Sequence, residues 1–264
     1  MNLTKLWKYT TLQARLIRFR LHYPKQDLVI VTGANHTHFL SLCQFLLSVI
    51  KFEPHIPIFI YDLGLHEDQR ATLETISEGL IRSKILNFDF ANYPPHVNID
   101  DMAGQYAWKP IIISEVAQFT NGNVLWCDAG NVLKKRLKLL NRIISKNGFY
   151  SPLSAGSIQQ WTHPGMLDFL QTPDVYLSKR NLAGGLVGIK TDNALTQLLL
   201  QQWLDCALNV KCISPQGSSR ENHRQDQSAL TNIAYKLGFA QQIFRQGIGA
   251  NVSAIGLELQ CDIE

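Results

Sequence analysis

The sequence predicts an α/β fold: a mostly parallel mixed sheet flanked by helices and preceded by an N-terminal amphipathic helix. Three observations predict it. Short apolar runs bounded by turn residues alternate with helix-length amphipathic segments along the first half of the chain. The connections between them are short, as strand-helix-strand units require. Two of the runs, 27–35 and 124–127, end in glycine-containing polar stretches, the places where open α/β sheets bind ligands.

Residues 1–25 carry Lys5, Lys8, Arg15, Arg18, Arg20 and Lys25 and no acid. Leu3, Trp7, Thr10, Ala14, Ile17 and Leu21 recur at steps of four and three, with the basic residues on another face, so 3–22 reads as a cationic amphipathic helix. Such an arm suits weak contact with an anionic membrane surface, or packing on its own domain. Charges interrupt every candidate apolar core of a secretory signal. Pro24 ends the arm, and residues 26–264 are expected to form a single domain.

The 264 residues are enough to bury a substantial core. The chain has 25 Lys plus Arg against 21 Asp plus Glu, a net charge of +4. Removing the six basic residues of the arm leaves 19 against 21 acids, and this slightly acidic body argues against nucleic-acid binding, which needs a basic face. No run approaches the roughly 18 apolar residues of a membrane span. Cys43, Cys127, Cys206, Cys212 and Cys261 are scattered, odd in number and without metal-ligand spacing, which points to a reduced compartment and no zinc site. The expected location is cytoplasmic, peripheral at the inner membrane face through the arm.

Residues 27–35, Asp-Leu-Val-Ile-Val-Thr-Gly-Ala-Asn, read as a buried strand running into a glycine turn, followed by a helix from about His38 to Lys51. Val-Thr-Gly-Ala-Asn also begins many nicotinamide-dependent dehydrogenases, but that fingerprint needs further glycines where this chain has His36, Thr37 and His38, and no Tyr-x-x-x-Lys pair follows. A strand at Ile56–Tyr61, a helix at Leu65–Glu78 and a strand at Ile85–Phe90 repeat the rhythm. Tyr93-Pro94-Pro95-His96 breaks it and opens a long loop through Gly104. Pro110 fits the first turn of a helix through Phe119. Lys109, a cation at that helix's amino end, is unfavourable for the helix, so a carboxylate or a phosphate is expected to hold it.

Val124 to Cys127 read as a buried strand, and Asp128 ends it as either a ligand-facing acid or a cap for the next helix. A basic helix is expected over Lys134–Lys146, a strand over Phe149–Leu153, a short helix to Leu170 introduced by Trp161-Thr-His-Pro164, and a glycine-rich strand over Asn181–Lys190. Gly184 and Gly185 there allow a bulge or a ligand-facing loop. A helix over Asn193–Leu208 and a mobile loop over 211–222 follow. His223-Arg-Gln-Asp-Gln-Ser then opens a helix to Leu237, with Asp226 and Gln227 in its first turn. The tail from Phe239 carries no clear motif.

The order of these features, from the polar loop after the first strand through Trp108-Lys-Pro, Leu-Trp-Cys-Asp-Ala-Gly130 and the Gly-Gly strand to the late Asp-Gln helix, resembles the GT-A glycosyltransferases. It is similar in particular to retaining, family-8-like nucleotide-sugar transferases and to a glycosyltransferase-like group sharing the Tyr-x-Trp-Lys-Pro run. The resemblance covers about Asp27 to Leu237. It implies a hexosyltransferase-like enzyme of glycan biosynthesis that moves a sugar from a nucleotide-diphosphate donor, a UDP-sugar, to a carbohydrate or other hydroxyl acceptor. It implies donor-binding roles for Thr32, Gly33, Ala34, Asn35, Lys109 and Asp128, an acceptor side at Gly184 and Gly185, and catalytic roles for Asp226, Gln227 and Asp128.

The family's Asp-x-Asp motif holds a divalent cation, Mn²⁺ or Mg²⁺, and here it is degenerate, because Asp128 is kept and Gly130 replaces the second Asp. Three readings follow: a metal held by Asp128 and a distant residue, charge stabilisation by Lys109 or by an arginine such as Arg224 or Arg245, or a glycosyltransferase-like binding or scaffold protein without catalysis. No match for the family's late metal-binding His follows His223. With retention, Gln227 or Asp226 would stabilise an oxocarbenium-like species; with inversion, Asp226 would be the general base.

Overall fold

The computed structural model describes residues 28–239 and 252–263. The amphipathic arm at 1–25 and Arg245 lie outside the described residues.

β1 (Leu28–Ala34) is wholly buried, and its alternating side chains serve two cores. Val29 and Val31 enter one cluster with Trp126, Val187 and Trp203; Leu28 and Ile30 enter another with Leu42, Phe45 and Leu125. A continuous apolar run is what a strand covered by helices on both faces needs. Around β1 stand α1 (Phe39–Phe52), β2 (Ile58–Asp62), α2 (Glu67–Ser77), β3 (Ser83–Asn87), α3 (Trp108–Phe119) and β4 (Asn123–Cys127). Next come β5 (Val132–Leu133), α4 (Lys138–Asn147), β6 (Phe149–Tyr150), β7 (Leu153–Ser157), α5 (Ile158–Trp161), α6 (Pro164–Phe169), β8 (Arg180–Leu182) and β9 (Leu186–Lys190). The chain continues through α7 (Ala194–Leu208), α8 (Val210–Ile213), α9 (Gln225–Lys236), α10 (Val252–Ile255) and β10 (Leu257–Glu258).

The main sheet runs β3-β2-β1-β4-β9-β6. β3, β2, β1 and β4 pair in parallel, and β9 is antiparallel to both β4 and β6. Two small antiparallel pairs, β7 with β8 and β5 with β10, sit beside it. Among the described residues no helix is long and apolar enough to cross a membrane.

Several elements differ in their bounds from those expected. The strand expected at 85–90 is displaced to Ser83–Asn87, and a 3-10 turn takes up Phe90–Asn92. The basic helix starts at Lys138, because Val132–Leu133 is held extended by β10. The strand expected over 149–153 is two, because Phe149 and Tyr150 pair with β9 while Leu153 pairs with Leu182. The strand over 181–190 is likewise two, broken at Gly184-Gly185.

The cysteines also differ from expectation, since Cys206 and Cys212 form a disulfide. α7 ends at Leu208 and α8 starts at Val210, and this tight corner brings the two Cα atoms to 5.1 Å. The start of the expected mobile loop is therefore the helix α8.

Candidate active site

The site follows from the sheet's connectivity. The chain leaves β1 toward β2, while β4 lies on the other side of β1, so a crevice opens outside their carboxyl ends. β9 runs antiparallel to β4 with Cys127 opposite Leu186, which puts the residues before β9 beside the residue after β4. The Asp128 N–H accordingly donates to Gly185 O at 2.9 Å, and Asn131 Nδ2 donates to the same oxygen at 2.7 Å. A Cβ on Gly185 would lie 2.8 Å from Asp128 Oδ2, so this position requires glycine.

Lys109 is the second residue of α3 and only 4% exposed. Its Nζ lies 3.0 Å from Asp128 Oδ1, 3.4 Å from Asp226 Oδ2 and 3.4 Å from Gly184 O. The ammonium donates to the Asp128 carboxylate and to Gly184 O, whereas the buried Asp226 Oδ2 meets it as an ion pair without a hydrogen bond. Burial works against its charge, but the Asp128 and then the Asp226 carboxylates outweigh burial and hold its pKa above the usual lysine value. At such separations each opposite charge is worth about 4 kcal/mol at an intermediate effective dielectric. The expectation of a carboxylate partner for Lys109 is met twice over.

The rings of Tyr106, Trp108 and Trp126 stand 5.7, 5.8 and 5.8 Å from the same ammonium, close enough for cation–π attraction. Trp126 Nε1 also donates to Asp128 Oδ1 at 2.6 Å. The Asp128 carboxylate therefore orients on a lysine and an indole and caps no helix. Ahead of α3 the backbone is left-handed at Met102, Ala103, Gly104, Gln105 and Tyr106. Each of the four non-glycines costs about 1–2 kcal/mol. Trp108 Nε1 donating to Ala103 O at 3.1 Å helps hold this strained turn, which sets Tyr106 between Lys109 and Arg220.

α9 brings the second acid. Asp226 is 3% exposed, and its backbone oxygen accepts from Trp203 Nε1 at 3.0 Å. Burial pushes its carboxyl pKa up; the Lys109 ammonium pulls the other way, and the net direction is upward. A Cβ on Gly184 would lie 3.1 Å from Asp226 Oδ2 and 3.2 Å from Gln227 Cβ, so the Gly-Gly turn packs directly under the start of α9.

These groups border one cavity of about 430 Å³, within the range of ligand pockets. Gly33, Ala34, Asn35, Lys109, Asp128, Gly184, Gly185, Asp226 and Gln227 all line it. Thr32 does not, because it is fully buried within β1. Arg224 is turned away, with its guanidinium 4.0 Å over the Trp161 ring. His223 is a buried structural residue: its Nδ1 accepts from the His163 N–H at 3.2 Å, and its Nε2 donates to Ile213 O at 3.1 Å.

Asn131, Arg220 and Asp262 line the cavity without having been singled out from sequence. Arg220 lies in the polar stretch before α9, where its guanidinium stacks 5.1 Å from the Tyr106 ring centroid and donates to Gln225 Oε1 at 3.1 Å. Its excess of polar residues was the available signal. Asp262 offered none, because its place depends on pairing at the far end of the chain.

Among the described residues, no group of three or more His, Cys, Asp and Glu side chains could hold a metal ion. Magnesium-type sites, however, use one or two carboxylates together with substrate phosphates. A Cβ on Gly130 would lie 2.3 and 2.5 Å from the two carboxylate oxygens of Asp262. Where a second motif side chain would begin there is thus already a carboxylate, and the residues present fit a divalent cation completed by phosphate.

A family model described as a protein of unknown function (DUF1647) matches residues 10–114. No curated protein matches the chain. Among solved structures, the chain is similar to the WbbM bifunctional glycosyltransferase at a TM-score of 0.55 and 12% identity, over 80% of this chain and 38% of that one. It is similar to the galactosyltransferase LgtC, solved with donor and acceptor sugar analogues, at a TM-score of 0.52 and 16% identity, over 88% and 87% of the two chains. The chain thus spans well under half of WbbM and most of LgtC. At these identities the likeness is one of fold, and the fold is that of the GT-A glycosyltransferases.

Proposed function

We propose that this chain is a glycosyltransferase that moves a sugar from a nucleotide-diphosphate donor, a UDP-sugar, to a hydroxyl of a glycan acceptor with retention of configuration, and that residues 26–264 form its catalytic domain. The observation that carries the reading is the buried Lys109 joining Asp128 and Asp226 at the switch-point cavity. The solved relatives supply the precedent: LgtC is a galactosyltransferase crystallised with donor and acceptor sugar analogues.

In this reading Gly33, Ala34 and Asn35, at the end of β1, receive the base and ribose. Lys109 is engaged by Asp128, Asp226 and Gly184 O, so it acts as a positioning residue that keeps the two carboxylates charged and fixed. Arg220, exposed at the rim and braced on Tyr106, is the cation available to the diphosphate. A bound Mn²⁺ or Mg²⁺, with Asp128 among its ligands, would offset the charge of the departing diphosphate. Gln227 and Asp226 face the anomeric carbon across from Gly184 and Gly185, where the acceptor approaches. The bond from the anomeric carbon to the phosphate oxygen breaks with its electron pair on that oxygen. The acceptor oxygen bonds on the same face, and its proton passes to the released phosphate.

A second reading, a binding protein of the same fold without turnover, is favoured by Gly130 alone. Incubating the chain with UDP- and GDP-sugars, with and without Mn²⁺, tests both. The proposal expects donor hydrolysis or transfer that Asp128→Ala abolishes. Donor binding without turnover would support the second reading, and no binding of any donor would reject both.

A further inference from the structure

We infer that Asp262 supplies the carboxylate that the motif after β4 lacks, so that Asp128 and Asp262 together form the protein's half of a divalent-cation site. The inference rests on the proposed function for the diphosphate that would complete the site, but its own basis is the placement of Asp262.

Gly130 is the departure that leaves Asp128 without a motif partner, and the structure shows what fills the gap. β10 pairs with β5, Leu257 opposite Leu133 and Glu258 opposite Val132, which returns the end of the chain to the residues just after Asp128. Two backbone bonds then fix Asp262 from either side. The Cys261 N–H donates to Gly130 O at 2.6 Å, and the Ile263 N–H donates to Ser41 Oγ on α1 at 2.9 Å. The Asp262 carboxylate oxygens lie 2.3 and 2.5 Å from where a Cβ on Gly130 would stand, too close for a side chain there, and Asp262 borders the same cavity as Asp128.

Among the described residues Asp262 has no hydrogen bond or ion pair to its side chain. Its neighbour Glu258 is neutralised by Lys134 at 2.6 Å. An unpaired carboxylate that abuts Gly130 and lines the same cavity as Asp128 has the hard oxygen chemistry of an Mg²⁺ or Mn²⁺ ligand. The same geometry explains Gly130: any side chain there would displace the carboxylate from the end of the chain.

The test is direct Mn²⁺ binding to the full chain, read from the loss of the free-ion electron paramagnetic resonance signal, with and without UDP. Wild type should bind one Mn²⁺, more tightly with UDP. Loss of an outer-shell partner alone costs about tenfold to a hundredfold in metal affinity, and Asp262→Asn should cost at least as much. Gly130→Ala should weaken binding similarly while the chain stays folded by circular dichroism. Glu258→Gln, on the same segment, should leave binding unchanged. Gly130→Asp combined with Asp262→Ala should restore it, because the carboxylate returns on the other side of the same gap.

Unchanged Mn²⁺ affinity in Asp262→Asn, or no Mn²⁺ binding by wild type with UDP present, would overturn the inference. Donor turnover together with either result would reject the site and leave the function standing. Asp262-dependent Mn²⁺ binding without any donor binding would do the reverse.

Discussion

Lys109 Nζ and Asp128 Oδ1 are 3.0 Å apart, yet the lysine side chain is 5% exposed and the aspartate side chain 41%. The base is sealed behind the acid, and the acid faces the cavity. The Asp226 side chain, 5% exposed and 3.4 Å from the same ammonium, shares the buried side of this arrangement. The cation is therefore structural as well as electrostatic: it makes two nearby carboxylates tolerable in one wall.

Removing that cation should be costly. Lys109→Met leaves Asp226 charged, buried and unpaired, and breaking a buried pair from one side costs about 3–5 kcal/mol. Urea denaturation should show a loss of this size. Lys109→Met with Asp226→Leu should recover part of it, a coupling that a merely exposed pair would not produce.

Gly185→Ala separates geometry from folding. Its Cβ would meet Asp128 Oδ2 at 2.8 Å, forcing the carboxylate to turn. Overpacking costs about 1–3 kcal/mol in stability, whereas a displaced active-site group costs about a hundredfold in rate. Donor turnover by the variant should fall by that order while its melting transition remains cooperative.

His223 should give the fold an acid limit. Burial holds its imidazole neutral and lowers its pKa from 6.5 to about 4. With the folded-state pKa depressed, its contribution is fully present above pH 6.5 and is lost as pH falls toward 4. Between those limits the slope approaches about 1.4 kcal/mol per pH unit. Stability measured across that window should fall less steeply in His223→Gln than in wild type.

The Cys206–Cys212 disulfide spans a sequence separation of 6, and the chain-entropy relation gives about 2 kcal/mol for so small a loop. Cys206→Ala with Cys212→Ala should lower the unfolding free energy by that amount in oxidising buffer. The same double variant should match wild type treated with reductant.

Much of this was legible from residue pattern. The runs at 27–35 and 124–127 carry the apolar content of central strands, and Asp128, Lys109, Asp226 and Gln227 line one cavity. What was not legible depends on pairing distant in sequence. Residues 181–190 read as one glycine-rich strand because periodicity does not register the turn at Gly184-Gly185. Thr32 looked like part of the binding loop, but it lies inside the buried strand β1, and only the strand's last residues, Gly33 and Ala34, reach the cavity. The two-residue strand at Leu257–Glu258 is too short for any periodic signal, so Asp262 gave no hint of reaching Gly130. Lys109 pointed to an anionic partner, but only the fold shows that both partners are the chain's own carboxylates.

Whether this cavity holds a sugar nucleotide is decided by a crystal structure of the full chain soaked with UDP and Mn²⁺. The uracil and ribose should lie against Ala34 and Asn35, with the diphosphate between Asp128 and Arg220. UDP bound elsewhere on the chain, or a cavity still empty at saturating UDP, would contradict the proposed function.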